Sequence, residues 1–331
     1  MRIFSKASRA SFLATLVLSF LLSGCAKHSD VEVLKMAHSL DHTHPVHLAI
    51  VYMADRLHEI SAGAMRMDVY PGGQLGGERE LMELLQIGSL AMTKVSTSPM
   101  EGFVPAMKVF NVPYVFRDSD HYWRVLNSEL GRELLLAGDT VNLRGLGYYD
   151  AGSRSFYTTN QPVHTPADLK GLKIRVQESQ TALQMVSALG GSGTPVSWGE
   201  LYTALSQGVV DGAENNPPSF YTSKHYEVSK HYTLNEHTSV PDIVVISSYI
   251  WNNLSEQQQQ WVQQAMDESI VYQRKLWNES TEEALAAVEE AGVTIVRPDK
   301  SLFMAEVEVM HESYRNTEPE LYQLIQTFKA M

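Results

Sequence analysis

A helical pattern opens at Ser255-Glu-Gln-Gln258, where a serine and a glutamine three residues later form a capping box, and nothing obviously breaks it before Gly292. At 1.5 Å per residue such a rod is on the order of 50 Å long, more than one lobe can cover. The spacing predicts a body in two lobes with this helix lying across the backs of both. Chain length agrees with that reading. Met1 to Gly24 read as a removable leader, and the 307 residues that remain (331 − 24) exceed what a single core usually serves.

Ahead of the rod, strand and helix patterns alternate. Val31–Ala37 reads as a first strand, and a helix starts near Pro45 with Val46, Ile50, Met53, Leu57 and Ile60 on one face. Met65–Tyr70 alternates as a second strand, and the loop Pro71–Gly77 leads into a helix opening at Glu78. This order predicts an α/β fold with a mainly parallel sheet and loops converging at the strand ends. A helix is expected from about Asp120 to Ala137, and Leu143–Tyr149 is a strand crossing into the second lobe. Asp242–Ser248 returns the chain to the first lobe, while strand Val293–Val296 and the helices to Met331 complete the second. The expected division is residues 25–150 plus about 240–275 for lobe I, and 151–239 plus about 276–331 for lobe II.

Two arginines, Arg154 and Arg175, fall on consecutive short strands where the second lobe begins. Two guanidiniums brought together repel and need an anion. The planar fork of an arginine matches a carboxylate bidentately and does not lose its charge. Structural ion pairing is the competing explanation for strand arginines. Val209-Val-Asp-Gly-Ala-Glu-Asn-Asn-Pro-Pro218 adds a short apolar run breaking into a Gly/Asn/Pro turn, the kind of strand-end loop that carries binding groups.

Six segments, in order along the chain, carry a family resemblance: Tyr70-Pro-Gly-Gly-Gln-Leu-Gly76, Gly88-Ser-Leu90, Val112-Pro-Tyr-Val-Phe116, Gly171-Leu-Lys-Ile-Arg-Val176, Leu201-Tyr-Thr-Ala-Leu205 and Val210-Asp-Gly-Ala-Glu-Asn215. The chain resembles the DctP-type solute-binding proteins of tripartite ATP-independent periplasmic (TRAP) transporters. The resemblance implies a two-lobe periplasmic binding protein, type II-like, with hinge strands and one long helix spanning both lobes. It further implies a receptor that closes on an organic acid and delivers it to membrane permease subunits. Arg175 takes the position of the family's carboxylate clamp, with Arg154 and Asn215 assisting. The combination of Asp41-His-Thr-His-Pro-Val-His47, Ala91-Met-Thr-Lys-Val-Ser96 and Asp211-Gly-Ala-Glu-Asn-Asn-Pro-Pro218 looks like the uronate-binding branch.

Other residues stand as candidates beside that clamp. In the resembled family the loop after the first strand faces the cleft, so His38 or His44 would meet ligand hydroxyls, a task suited to a group that donates and accepts. No cysteine or HExxH pattern accompanies the four histidines, so neither metal nor cofactor is expected. Glu78 either meets the positive end of its own helix or accepts hydroxyls. Lys94 lies inside an apolar run, where it is either a second positive contact or the partner of Glu78. Trp198 is either a core anchor or a platform for the apolar face of a sugar ring.

The leader carries Arg2, Lys6 and Arg9 before an apolar run from Phe12 to Leu22, too short for a stable bilayer span and fitting a secretory signal. It ends in Leu22-Ser-Gly-Cys25, which looks like a bacterial lipobox with Cys25 as the lipidated residue; an ordinary signal cleaved nearby is the alternative. Cys25 is the only cysteine, so no internal disulfide is available. Net charge is −12, or −15 without the three leader cations, which disfavours nucleic acid and anionic lipid. The expected protein is a periplasmic, lipid-anchored monomer that binds a hexuronate such as glucuronate or galacturonate and is not an enzyme. A C4-dicarboxylate or sialic-acid-like ligand, a sensory receptor and an exported hydrolase are the alternatives, although no Gly-x-Ser-x-Gly elbow or paired glycosidic carboxylates are evident.

Overall fold

The structure, a computed structural model, describes residues 31–331, so the expected leader and Cys25 lie outside the described residues. Its strands in chain order are β1 (Glu32–Ala37), β2 (Met65–Tyr70), β3 (Met92–Ser96), β4 (Leu143–Tyr149), β5 (Arg154–Thr158), β6 (Lys173–Val176), β7 (Ser192–Pro195), β8 (Gly212–Asn215), β9 (His231–Thr238), β10 (Asp242–Ser247) and β11 (Thr294–Val296). They form two sheets, β2-β1-β3-β10-β4 and β11-β9-β5-β8-β6-β7.

Both sheets are mixed, which corrects the expectation of a mainly parallel one. β1 runs parallel to β2 and β3, but β10 is antiparallel to β3 and β4; β6 is parallel to β7 and β8, but β5 is antiparallel to β8 and β9. The physical reason is connectivity. β5 and β10 each enter their sheet from the other lobe, so they run against neighbours laid down by local βαβ crossovers.

Each lobe has an apolar cluster of its own, and a third, larger one joins Leu81, Val95 and Phe110 to Ile174, Val186 and Phe303. In the first, helix Pro45–Ile60 sets Val46, Ile50, Met53 and Leu57 against Leu34 and Met36 of β1. Pro45 at its first turn and His44 at its N-cap define where it starts. In the second, Leu201, Leu205, Phe220 and Tyr232 form a separate cluster. The long helix runs from Glu256 to Glu290 with the capping box at Ser255 and Gln258. Its Val262 and Met266 join the first core and its Val288 the second, so it spans both lobes.

Two expectations from periodicity change. The helix expected from Asp120 to Ala137 is two helices, Ser119–Leu126 and Glu129–Leu136, because the Ser128 hydroxyl caps the Gly131 N–H and starts a new one. The C-terminal helix Pro319–Ala330, expected with lobe II, bonds through Tyr322 to Arg315 and Glu312 of helix Lys300–Thr317 and also packs on lobe I. Its Phe328 ring lies 5.6 Å from both Phe110 and Phe116, and the Phe328 carbonyl accepts from His121 Nε2 at 2.8 Å. An amphipathic stripe shows that a helix has a partner, not which lobe supplies it.

The first crossing between lobes is fastened to the long helix. The Asp150 N–H donates to Gln273 Oε1, and Gln273 Nε2 donates to the Asp150 carbonyl, each at 2.8 Å, with Gln273 fully buried. Gly152 follows at φ +57°, where a Cβ would lie 3.0 Å from Trp277 Nε1 of the same helix. Replacing Gln273 by the similar-sized Leu leaves both Asp150 backbone groups unsatisfied. Gln273→Leu is expected to cost about 2–4 kcal/mol, read as a lower urea midpoint at unchanged slope; a midpoint equal to wild type refutes the pin.

Candidate functional site

Between the lobes lies a cavity with ≈ 730 Å³ of empty space, open mouth included, in the range of roughly 300–1,000 Å³ usual for small-molecule sites. The ends of β1, β2, β3, β6, β7 and β8 and the segments after them supply most of its wall. Strand alternation explains the polar lining: in β6, Ile174 and Val176 point into the core and Arg175 between them points the other way, into the cavity.

Arg175 is 3% exposed, and its Nε donates to the Val196 carbonyl at 2.8 Å. Its Nη1 is buried and has no partner among the described residues. Its guanidinium carbon lies 5.9 Å from the centre of the Trp198 ring. Burial, with the nearby Arg154 charge, pushes its pKa below the usual arginine value. A buried cation without a counter-charge is costly, and an anion in the cavity removes that cost.

Arg154 is placed differently. It forms a two-pronged pair with Glu214, through Nε to Oε2 and through Nη2 to Oε1 at 2.8 Å, and Nη2 also donates to the Glu214 carbonyl at 2.8 Å. Its Nη1 donates to Asn215 Oδ1 at 2.8 Å. Burial alone would raise the Glu214 carboxyl; the Arg154 charge and hydrogen bonding overcome it and bring the pKa down to about 2. Arg154 therefore lines the cavity with its charge already balanced, where a free fork assisting Arg175 was expected. What it does is orient Asn215. With its oxygen taken by Arg154 and by the Asn216 N–H at 2.9 Å, Asn215 has only its amide N–H donors to offer.

On the opposite wall Lys94 is 3% exposed and sits between Glu78 Oε1 at 2.9 Å and Asp242 Oδ1 at 3.1 Å. Burial lowers its pKa, but Asp242 and Glu78 together outweigh that and hold it above the usual lysine value. Burial lifts Asp242, and Lys94 offsets part of the rise. Lys94 is thus an internal counter-ion to two carboxylates, which account for two of its three N–H donors. Glu78 stands at the first position of helix Glu78–Gln86, and its Oε1 also accepts from the Ser96 N–H at 3.3 Å.

The histidines divide. His38 is buried away from the cavity: its Nδ1 accepts from the Leu40 N–H at 3.2 Å, so Nε2 carries the proton and donates to His47 Nδ1 at 3.0 Å. Burial, helped by Lys94 and its histidine neighbours, takes its pKa to about 3. The expected hydroxyl contact at His38 is therefore corrected, since both ring nitrogens are used. His44 does line the cavity. Its Nδ1 accepts from the Val46 N–H at 3.2 Å, so its Nε2 donates across the cleft to Ser219 Oγ at 3.1 Å. The Ser219 hydroxyl, whose lone pair is taken by His44, retains its proton for a partner in the cavity. Trp198 opens helix Trp198–Ser206, packs against two of the cores and also forms cavity wall.

Four lining or supporting residues were not anticipated: Asp242, Glu214, Asn216 and Ser219. Asp242 had a signal, a lone charge opening the buried run Ile243-Val-Val-Ile246, and Glu214 lay inside a motif read only for its asparagine. Ser219 had none, because it reaches the cavity through the turn and short helix Pro217–Thr222.

Comparison with known proteins accords with this geometry. The family described as bacterial extracellular solute-binding protein, family 7 (DctP), matches residues 36–318. The uncharacterized protein YiiZ of Salmonella typhimurium is 37% identical over 320 residues, covering 96% of this chain and 97% of that one. Among solved structures, a TRAP periplasmic solute binding protein from a Bradyrhizobium species in complex with galacturonate is 38% identical with a TM-score of 0.87, covering 91% of this chain and 100% of that one. Another from Roseobacter denitrificans, with bound β-D-glucuronate, is 34% identical with a TM-score of 0.88 over the same shares. With two lobes about one polar cavity and a match from residue 36 to 318, the chain belongs to the DctP family of bacterial extracellular solute-binding proteins and is a TRAP-type solute receptor.

Proposed function

We propose that this receptor captures a hexuronate such as glucuronate or galacturonate outside the cytoplasm and hands it, unaltered, to the membrane permease subunits of a TRAP transporter. The observation that carries the reading is Arg175, a buried guanidinium with an N–H that no group among the described residues satisfies. A ligand carboxylate on Arg175, assisted by the Asn215 amide and the Ser219 hydroxyl, leaves the hydroxyls of the sugar to meet Glu78 and Asp242 while Trp198 covers an apolar face. Similar proteins holding galacturonate and glucuronate support this choice. Charge-assisted hydrogen bonds contribute about 1.5–3 kcal/mol each, so a few of them support binding near the micromolar scale, about 8 kcal/mol. Domain closure about the crossings signals occupancy to the permease.

The anchor belongs to the same proposal. Acylation at Cys25 tethers a monomeric receptor to a membrane face and leaves its cleft unchanged. Metabolic labelling with a fatty-acid analogue is expected to mark the wild-type protein and not Cys25→Ser; equal labelling of both overturns the anchor.

The two arginines are expected to separate cleanly. Arg175→Ala keeps the fold and loses at least about 100-fold in affinity for glucuronate or galacturonate by titration calorimetry, since a buried charge partner is removed; unchanged affinity overturns the clamp. Arg154→Ala leaves Glu214 buried and unpaired and costs about 3–5 kcal/mol of folding stability. The depressed Glu214 pKa also has a pH signature. A carboxyl lowered on folding contributes stability above its unfolded value, and that contribution fades as pH falls from about 4.5 to about 2. Glu214→Gln is expected to be less stable at neutral pH and to lack that segment of the acid dependence in denaturation midpoints between pH 5 and pH 2.

A further inference from the structure

Capture of one carboxylate by Arg175 leaves open how the far end of the ligand is selected, and the opposite wall bears on that through its charge. Lys94 touches both Glu78 and Asp242, at 2.9 and 3.1 Å, so one ammonium is shared by two carboxylates and the wall carries a net charge of −1 when all three are ionised. Arg154 is near enough to favour the Asp242 charge, but it is paired directly with Glu214 and makes no bond to the wall. The recorded bonds from Lys94 and the Ser96 N–H fall on Glu78 Oε1 and Asp242 Oδ1; Glu78 Oε2 and Asp242 Oδ2 accept nothing from the described residues, and both residues line the cavity. The buried end of the cavity is therefore polarised, with a cation lacking a carboxylate partner and N–H and O–H donors on lobe II and anionic acceptors on lobe I, while the exposed Arg79 and Glu178 also form part of the lining. A hydroxyl donates to those oxygens; a carboxylate has no proton to give and meets like charge where water is scarce.

We propose that Glu78 and Asp242, held in place by Lys94, are the specificity-determining residues of the site, accepting sugar hydroxyls and excluding ligands with a second carboxylate. This rests on the reading of Arg175 as the seat of the first carboxylate, and it assigns Lys94 a positioning role. Repulsion against the wrong partner is a recognised route to specificity. It makes the receptor one for sugar monoacids and sets it against the C4-dicarboxylates that its fold could otherwise hold.

The test is calorimetric titration of wild type, Asp242→Asn and Glu78→Gln with galacturonate and galactarate, which share a six-carbon skeleton and carry one and two carboxylates. Wild type is expected to favour galacturonate by at least about tenfold, and Asp242→Asn, which makes the wall neutral, to narrow the ratio by about tenfold. Glu78→Gln is expected to narrow it in the same direction and serves if Asp242→Asn does not fold. Wild type taking galactarate as tightly as galacturonate overturns the proposal, as does a ratio unmoved in the folded variants, which is also the result if Asp242 already carries a proton. Wild type that ignores galacturonate but prefers another sugar monoacid to its diacid sinks the hexuronate reading and leaves this one standing. Binding of no sugar acid at all overturns both.

Discussion

A buried charge with no carboxylate partner among the described residues organises this cavity. Arg175 is as deeply enclosed as Arg154 and Lys94, yet those two are matched by carboxylates of the chain and Arg175 is not. In a low-dielectric setting an unmatched guanidinium is tolerated only where the fold has other stability to set against it. The fold supplies that stability in its apolar clusters, two of them with a helix of 35 residues laid across them and a third that joins the lobes. The free-energy gap left at Arg175 becomes the attraction for an anion. Binding is then a charge pairing that the protein has left half-finished.

The matched charges have a different task. Arg154 and Glu214 neutralise each other, and their contribution to the cavity is geometric: they fix Asn215 with its oxygen turned inward to the protein. Lys94 does the same for Glu78 and Asp242. Buried ion pairs of this kind add little net stability, but removing one partner is expensive, so the geometry they impose is retained. Preorganised donors and acceptors spare the ligand the cost of ordering them. Several bonds also join the two walls directly. His44 meets Ser219, Ser96 Oγ donates to Gln177 Oε1 at 3.3 Å, and Glu101 accepts from the Thr181 N–H at 3.1 Å. These groups can bond one another only with the lobes together, so closure has contacts of its own besides those to a ligand.

Much of this was legible in the residue order, and the parts that were not share a cause. Strand Met65–Tyr70, the helix starting at Glu78 and the long helix from Ser255 stand where their periodicity and caps place them, since local pattern and burial agree there. The Gly-Leu-Lys-Ile-Arg tract places Arg175 because strand alternation alone turns it out of the core. β9 went unread because His231-Tyr-Thr-Leu-Asn-Glu-His-Thr238 is polar for a buried strand; its Asn235 and His237 are fully buried and bond each other, a compensation that exists only in three dimensions. The same holds for Arg154. Nothing local distinguishes an arginine awaiting a ligand from one already held by a glutamate sixty residues away.

That ambiguity is physical, since the two arginines have the same side chain and nearly the same burial. What separates them is a single neighbour. β5 lies antiparallel to β8, with Ser155 opposite Asn215 and Phe156 opposite Glu214, which brings the Glu214 carboxylate within reach of the guanidinium two residues before Phe156, on the same face. β6 lies on the other side of β8 and runs parallel to it, with Arg175 opposite Ala213, a residue that has no charge to give. The reversal of direction between β5 and β6 thus decides which arginine is satisfied and which is left to a ligand. It follows from β5 being the strand that enters from the other lobe. The crossing that makes the cleft possible also makes the charges on its two arginines unequal.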